Sequence, residues 1–170
     1  MLLKFIFIAA LYTLYLNGSS QDTFGLIDTK LDTAYDANSN IIGIGYTIKD
    51  GNYKDLKYGA WTEYYPTGEK KGEGLFLTEK YMECNDGSVF WKYYSYKVGQ
   101  WKYYFKNKFI KAEGTYETQI FNYSTACKGG YNIIKQKVGK NWVFYLENEK
   151  ITKPEKNYLK ELEEISFIVG

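Results

Sequence analysis

Val98-Gly99-Gln100-Trp101-Lys102-Tyr103-Tyr104-Phe105 has two relatives elsewhere in the same chain. Tyr58-Gly59-Ala60-Trp61-Thr62-Glu63-Tyr64-Tyr65 precedes it, and Val138-Gly139-Lys140-Asn141-Trp142-Val143-Phe144-Tyr145-Leu146 follows it. Gly59, Gly99 and Gly139 are evenly spaced, and Trp61 and Trp101 keep the same step. Asn141 is inserted in the last copy, so Trp142 falls one place late. The match runs on past the tryptophans, because Glu73-Gly74-Leu75-Phe76 returns one period later as Glu113-Gly114-Thr115-Tyr116. Agreement at Gly, Trp, Tyr, Glu and Gly in one register marks an internal repeat, and a repeat governs the architecture before any single element is read.

Alternate residues of a strand share a face. Trp61, Glu63 and Tyr65 therefore fall together, as do Trp101, Tyr103 and Phe105, and Trp142, Phe144 and Leu146. That face is aromatic or aliphatic in every copy except at Glu63. The opposite face carries Thr62, Lys102 and Val143, with Tyr64, Tyr104 and Tyr145. One dry and one wet face is the pattern of an antiparallel sheet. With 19 Tyr, 10 Phe and 4 Trp against 2 Pro, the composition also favours pleated surfaces.

Tyr65-Pro66-Thr67-Gly68 is a turn, with Pro fixing φ and Gly free to take a positive one. Lys106-Asn107-Lys108 and Glu147-Asn148-Glu149 put Asn, which tolerates the left-handed region, at the corresponding bends. Asn40 to Ile48 reads as a strand ending in the hairpin-type turn Lys49-Asp50-Gly51-Asn52. Val89–Tyr96 and Tyr131–Ile134 are strand-like and lead into the second and third copies, giving about four strands per period. Loops are expected near Asn85-Asp86-Gly87 and Lys128-Gly129-Gly130.

Near the C-terminus Thr152 is a candidate helix cap, Pro154 lies inside the first turn and Glu155 follows three residues after the Thr. Leu159, Leu162, Ile165 and Phe167 follow at helical spacing. The expectation is a mostly β protein: an elongated antiparallel sheet of stacked β-hairpins in repeats of about 40 residues, with a short C-terminal capping helix near 154–166. The repeat units lie near 58–76, 98–116 and 138–151 in a single domain over 21–170. The helix is expected to cover the open end of the sheet. A partner-binding helix is the alternative.

The chain begins Met1-Leu2-Leu3-Lys4, followed by an apolar run from Phe5 to Leu16 and then Asn17-Gly18-Ser19-Ser20. The run is well short of the roughly 20 apolar residues that span a bilayer. A basic start, a short apolar core and a small-residue exit describe a signal peptide over 1–20, cleaved before Gln21. A buried N-terminal strand or helix is the other reading. Export places the protein outside the cell or in the periplasm or envelope. There Cys84 and Cys127 are expected to form a disulfide, closing a long loop and contributing about 4 kcal/mol, rather than to stand as two buried thiols.

The formal charge of +2, less Lys4, leaves +1 and no concentrated basic face for nucleic acid. No second apolar segment is long enough to cross a membrane. The chain has no His, which removes Ser-His and Cys-His pairs and His-containing metal sites. No Gly-rich phosphate loop or metal-ligand cluster stands out, so neither a cofactor nor a metal is expected. Asn122-Tyr123-Ser124 is a glycosylation sequon.

Trp61, Trp101 and Trp142 are assigned to the core, with Gly59, Gly99 and Gly139 as repeat framework. Tyr64, Tyr104 and Tyr145 are the candidate binding residues, the alternative being that both aromatic sets are packed. Glu73 and Glu113 recur in neighbouring units and are the one candidate carboxylate pair for glycoside hydrolysis. Sheet contacts within the repeat framework are the competing role for them.

Gly-x-Trp-x-x-Tyr, a turn, then Gly-x-aromatic resembles the MORN-repeat family, in particular the divergent bacterial branch labelled MORN repeat variant or antitoxin-like. The matching positions are Gly59, Trp61, Tyr64, Gly68, Gly74 and Phe76; then Gly99, Trp101, Tyr104, Gly114 and Tyr116; then Gly139, Trp142 and Tyr145. Family repeats are about half as long as the period here, and the third unit lacks the closing Gly-x-aromatic element. The resemblance implies stacked hairpins and contact with protein or lipid. The antitoxin label does not carry over to an exported chain. The expected function is that of an exported, non-catalytic binding or scaffold protein whose partner is a protein or surface polymer. A small polysaccharide hydrolase using paired glutamates, and a purely structural spacer, are the alternatives.

Overall fold

The structure is a computed structural model that describes residues 27–49, 51–85, 88–123, 130–146, 149–151, 154–164 and 166–167. The expected signal peptide, Cys127, Thr152 and Ile165 lie outside the described residues, as do Asp86-Gly87, Lys128-Gly129 and Glu147-Asn148 of the expected loops and bends. The strands are β1 (Thr29–Tyr35), β2 (Ile41–Ile48), β3 (Lys57–Tyr64), β4 (Lys70–Asn85), β5 (Ser88–Tyr104), β6 (Ile110–Tyr123), β7 (Tyr131–Val138), β8 (Val143–Leu146), β9 (Glu149–Ile151) and β10 (Ser166–Phe167). They form one antiparallel sheet in the order β1-β2-β3-β4-β5-β6-β8-β9, with β7 on β6 and β10 on β5. One helix, α1 (Lys156–Glu163), follows β9. No described helix is long and apolar enough to cross a membrane.

Three turns share one geometry. Residues Asp36–Asn40, Tyr65–Glu69 and Phe105–Phe109 each close with the first amide donating to the fifth carbonyl, at 3.0, 2.9 and 2.8 Å. In each the fourth residue has positive φ: Ser39 at 64°, Gly68 at 94° and Lys108 at 71°. A left-handed residue after a tight turn is the usual device for keeping a three-residue hairpin loop in step with strand twist. Lys108 therefore holds the position that the sequence gives to Asn107. Asn107 instead uses its Oδ1 to accept the Phe109 amide, at 3.2 Å.

Gly45, Trp61, Gly74, Trp101 and Gly114 make a row across β2 to β6, and Trp142 continues it just ahead of β8. Each indole lies flat over the glycine before it. A Cβ on Gly45, Gly74 or Gly114 would come within 2.5, 2.3 or 2.5 Å of a ring atom. Each indole N–H donates to a carbonyl one strand back: Trp61 to Tyr46 at 2.6 Å, Trp101 to Leu75 at 3.1 Å and Trp142 to Thr115 at 2.9 Å. The rings bury their area and their one donor is satisfied. Trp61, Trp101 and Trp142 are all buried, at the centre of a cluster with Phe76, Tyr103, Tyr116, Phe144 and Leu162.

The expected four separate strands per period are instead long continuous ones. β4, β5 and β6 run for 16, 17 and 14 residues. β5 pairs with β6 only over Gly99–Tyr104, and β6 pairs with β7 from Tyr116 onward. Below that point the sheet splits into two arms, β4–β5 and β6–β7. Tyr81, Tyr94 and Tyr96 of one arm pack with Ile133 of the other in a second buried cluster. The Tyr94 hydroxyl accepts the Ile134 amide at 2.9 Å, which ties the arms together.

Helix α1 is shorter than the expected 154–166, and Phe167 belongs to β10. Its N-cap is Glu155, which makes no side-chain capping bond. It lies against the tryptophan face and not over the end of the sheet: Leu162 is buried in the tryptophan cluster, with Tyr158 and Leu159 packed beside it. Val138 donates its amide to Glu163 Oε1 at 2.9 Å, holding the helix to the start of the third unit.

Candidate functional site

α1 stands off the middle of the sheet and leaves a cavity of about 480 Å³ beneath it. Its walls come from β1 to β6 on one side and from Tyr158, Glu161 and Leu162 of α1 on the other. Four lysines line it, Lys57, Lys71, Lys97 and Lys111, against three glutamates, Glu63, Glu161 and Glu164. The lysines are products of the repeat. Lys57 and Lys97 each stand two places before a framework glycine, Gly59 or Gly99, and Lys71 and Lys111 each stand three places before Gly74 or Gly114. Each pair is therefore separated by one full period. This signal stood in the sequence just outside the aligned segments.

Glu63 breaks the apolar pattern because it has a cation to meet. Lys97 Nζ lies 3.2 Å from Glu63 Oε2, with side-chain exposures of 12% and 15%. The same ammonium donates to the Tyr103 hydroxyl at 2.8 Å and sits 4.4 Å from the centre of the Trp101 ring. Tyr103 and Tyr116 hydroxyls meet at 3.1 Å, and Tyr116 donates to the Leu162 carbonyl at 2.9 Å. A continuous polar chain thus crosses from β3 through β5 and β6 to the helix. Burial pushes the Lys97 pKa down, against the opposing pull of Glu63.

Lys71 pairs with Glu161 at 2.9 Å. Burial acts against its charge, but the hydrogen bond and charge of Glu161 win and raise its pKa. Lys57 and Lys111 are different. Among the described residues neither has a carboxylate at ion-pair distance. Lys57 Nζ lies over Trp61 at 4.8 Å and Phe76 at 4.9 Å, and Lys111 Nζ over Tyr158 at 3.7 Å. Burial lowers the pKa of both. The Tyr158 hydroxyl is buried with no hydrogen-bond partner among the described residues.

Of the sequence-nominated tyrosines, Tyr145 lies away from the cavity and Tyr64 and Tyr104 line it. Tyr64, Tyr104 and Tyr145 come from β3, β5 and β8 and are half-buried. Tyr104 donates to Glu73 Oε1 at 2.5 Å and Tyr145 to Glu113 Oε1 at 3.2 Å. The unit-to-unit bond is the same in both cases. Tyr64 has no such partner, because Ile44 stands where Glu73 and Glu113 stand in later units.

Glu73 and Glu113 each pair with Lys102 across neighbouring strands, so they share a face with Lys102 between them. Glu113 makes an ion pair with Lys102 at 3.2 Å and Glu73 with Lys70 at 2.9 Å. The Tyr104 hydroxyl, with help from Lys70, holds the Glu73 carboxyl below its ordinary range. A general acid requires the opposite shift. Neither carboxylate lines the cavity.

Gly59 and Gly99 take positive φ, 72° and 63°, at the bulge before each tryptophan. Gly139 does not share that conformation; a Cβ there would meet Glu117 Oε1 at 2.7 Å. Cys84 lies in β4, and its expected bond to Cys127 falls outside the described residues. No known family model, characterised protein or solved structure matches the chain.

Proposed function

We propose that this chain is an exported, non-catalytic β-repeat binding module of the MORN type that contacts a protein or surface polymer. The observation that carries the reading is the row of tyrosines on the face away from the tryptophans. Tyr104 and Tyr145 are each fixed by a glutamate of the preceding unit, so their rings are held in place and half-exposed. Preorganised aromatic rings with carboxylates beside them suit a partner with alternating apolar and hydroxyl surfaces, because little side-chain entropy is lost on contact. Export of residues 21–170 and a Cys84–Cys127 disulfide belong to the same proposal.

The test is a binding panel of acidic and neutral polysaccharides and surface proteins, run on the full chain and on a Tyr64→Ala/Tyr104→Ala/Tyr145→Ala variant with an unchanged melting profile. Retention of one panel member by the wild type and its loss in the variant supports the reading. Equal retention by both proteins rejects the tyrosine row as the contact.

A further inference from the structure

We infer that the cavity under α1 is a binding site for a small organic anion, a carboxylate or phosphate carried on a sugar-sized ring. Three observations converge there, and none of them rests on the tyrosine row, although Tyr64 and Tyr104 of that row also line the cavity. Lys57 and Lys111 are half-buried cations that face aromatic rings and lack a carboxylate partner among the described residues. Buried or partly buried charges are ordinarily paired, and a missing counter-charge inside a cavity is a place for an anionic ligand. The Tyr158 hydroxyl, also without a partner among the described residues, can donate to an oxygen of that ligand.

The other two lysines define the site by contrast. Glu63 and Glu161 neutralise Lys97 and Lys71, so those pairs hold the walls in place. The unpaired cations stand at either side, on β3 and β6. The volume of about 480 Å³ is larger than an inorganic ion needs and falls in the range of small-molecule pockets. Tyr158, half-buried in the helix wall, supplies aromatic surface against which a sugar-sized ring can lie, whereas the Tyr103 ring is already stacked on Trp101. The repeat explains how the site arose: each of two lysine positions occurs twice, and Glu63 and Glu161 neutralise one copy of each.

The experiment is calorimetric titration of the full chain at low salt with glucuronate, glucose 6-phosphate and glucose. Both anions, or one of them, bind; glucose does not, and the affinity falls as salt is added. Binding of glucuronate alone assigns a carboxylate and binding of glucose 6-phosphate alone a phosphate, and either upholds the site. Lys57→Gln and Lys111→Gln each weaken binding about tenfold or more, whereas Lys57→Arg and the distant Lys80→Gln retain it. A thermal shift of the wild type by the anions and not by glucose serves where a variant fails to fold. Equal behaviour of glucose and the anions, or binding unchanged in both glutamine variants, overturns the inference.

Discussion

Thr47 donates its hydroxyl hydrogen to Asp32 Oδ2 at 3.1 Å, across 15 residues of chain. Trp61 and Phe76 stand in the same relation, ring centres 6.3 Å apart, and so do Trp101 and Tyr116, at 6.2 Å. Asp32 also precedes the Asp36 turn by four residues, as Trp61 and Trp101 precede the Tyr65 and Phe105 turns. β1 and β2 are therefore a further repeat unit, with a polar pair in place of the aromatic one. Terminal units of an array have one neighbour instead of two and commonly turn polar where the stack ends. Among the described residues β1 is an edge strand of the sheet, and the Asp32 side chain there is 37% exposed.

Trp101→Ala is expected to cost about 3–5 kcal/mol, since the ring is fully buried and loses both packing and its bond to Leu75. Trp91→Ala, at the half-exposed tip of the β4–β5 arm, should stay within about 0.5 kcal/mol. Urea unfolding of the two variants measures the difference, and equal costs would remove the tryptophan row from the core.

Gly74→Ala places a methyl 2.3 Å from the Trp101 ring, so the indole must leave its seat. A loss of about 2–3 kcal/mol follows from overpacking. Gly68→Ala meets nothing within 4 Å and carries only its positive φ, at a cost of about 1 kcal/mol. Reversal of that order in thermal melts would mean that ring and glycine are not in contact.

Glu63→Leu leaves the Lys97 ammonium buried and uncompensated, with an expected loss of about 3–5 kcal/mol. The double change Glu63→Leu/Lys97→Met removes both charges and should recover most of it. A double-mutant cycle reads the coupling; additive losses would show that the pair does not interact in solution.

Alkali should unfold the protein steeply. Burial raises the hydroxyl pKa of Tyr94, Tyr103, Tyr116 and Tyr158 well above 10.0, and that of Tyr96 to about 12. The folded chain keeps these protons while the unfolded chain releases them above pH 10.0. Their contribution is complete below that pH and is lost as pH rises toward the folded values, at up to about 1.4 kcal/mol per pH unit for each tyrosine. Lys57, Lys97 and Lys111 act in the other direction. Their lowered pKa values let the folded chain shed charge first, so stability rises as pH approaches 10.5. Denaturation midpoints collected from pH ~8 to ~12 should rise slightly and then fall sharply. A flat profile above pH ~10 would mean that the tyrosines titrate freely in the fold.

The hairpins and the tryptophan core were legible because Gly, Trp and the turn residues recur in register. The first unit was not, because Asp32 and Thr47 replace the two residues that make a unit visible. Glu63 stood out as an anomaly, but its partner Lys97 is 34 residues away and no local period joins them. The packing of the two arms depends on Tyr94 meeting Ile134, a contact across 40 residues between strands that each look ordinary. The helix was recognisable from its apolar spacing. Its seat on the tryptophan face, which creates the cavity, depends on Leu162 finding the cluster and on Glu161 finding Lys71.

The most direct test of the cavity as the ligand site is a nuclear magnetic resonance titration of the four tryptophan indole N–H signals with glucuronate and glucose 6-phosphate. Trp61 and Trp101 lie beneath the ammonium groups of Lys57 and Lys97, and Trp91 lies far along the β4–β5 arm. Occupation of the cavity should move the Trp61 and Trp101 signals in a saturable way and leave Trp91 in place. Movement of Trp91 alone, or of none of the four, would contradict it.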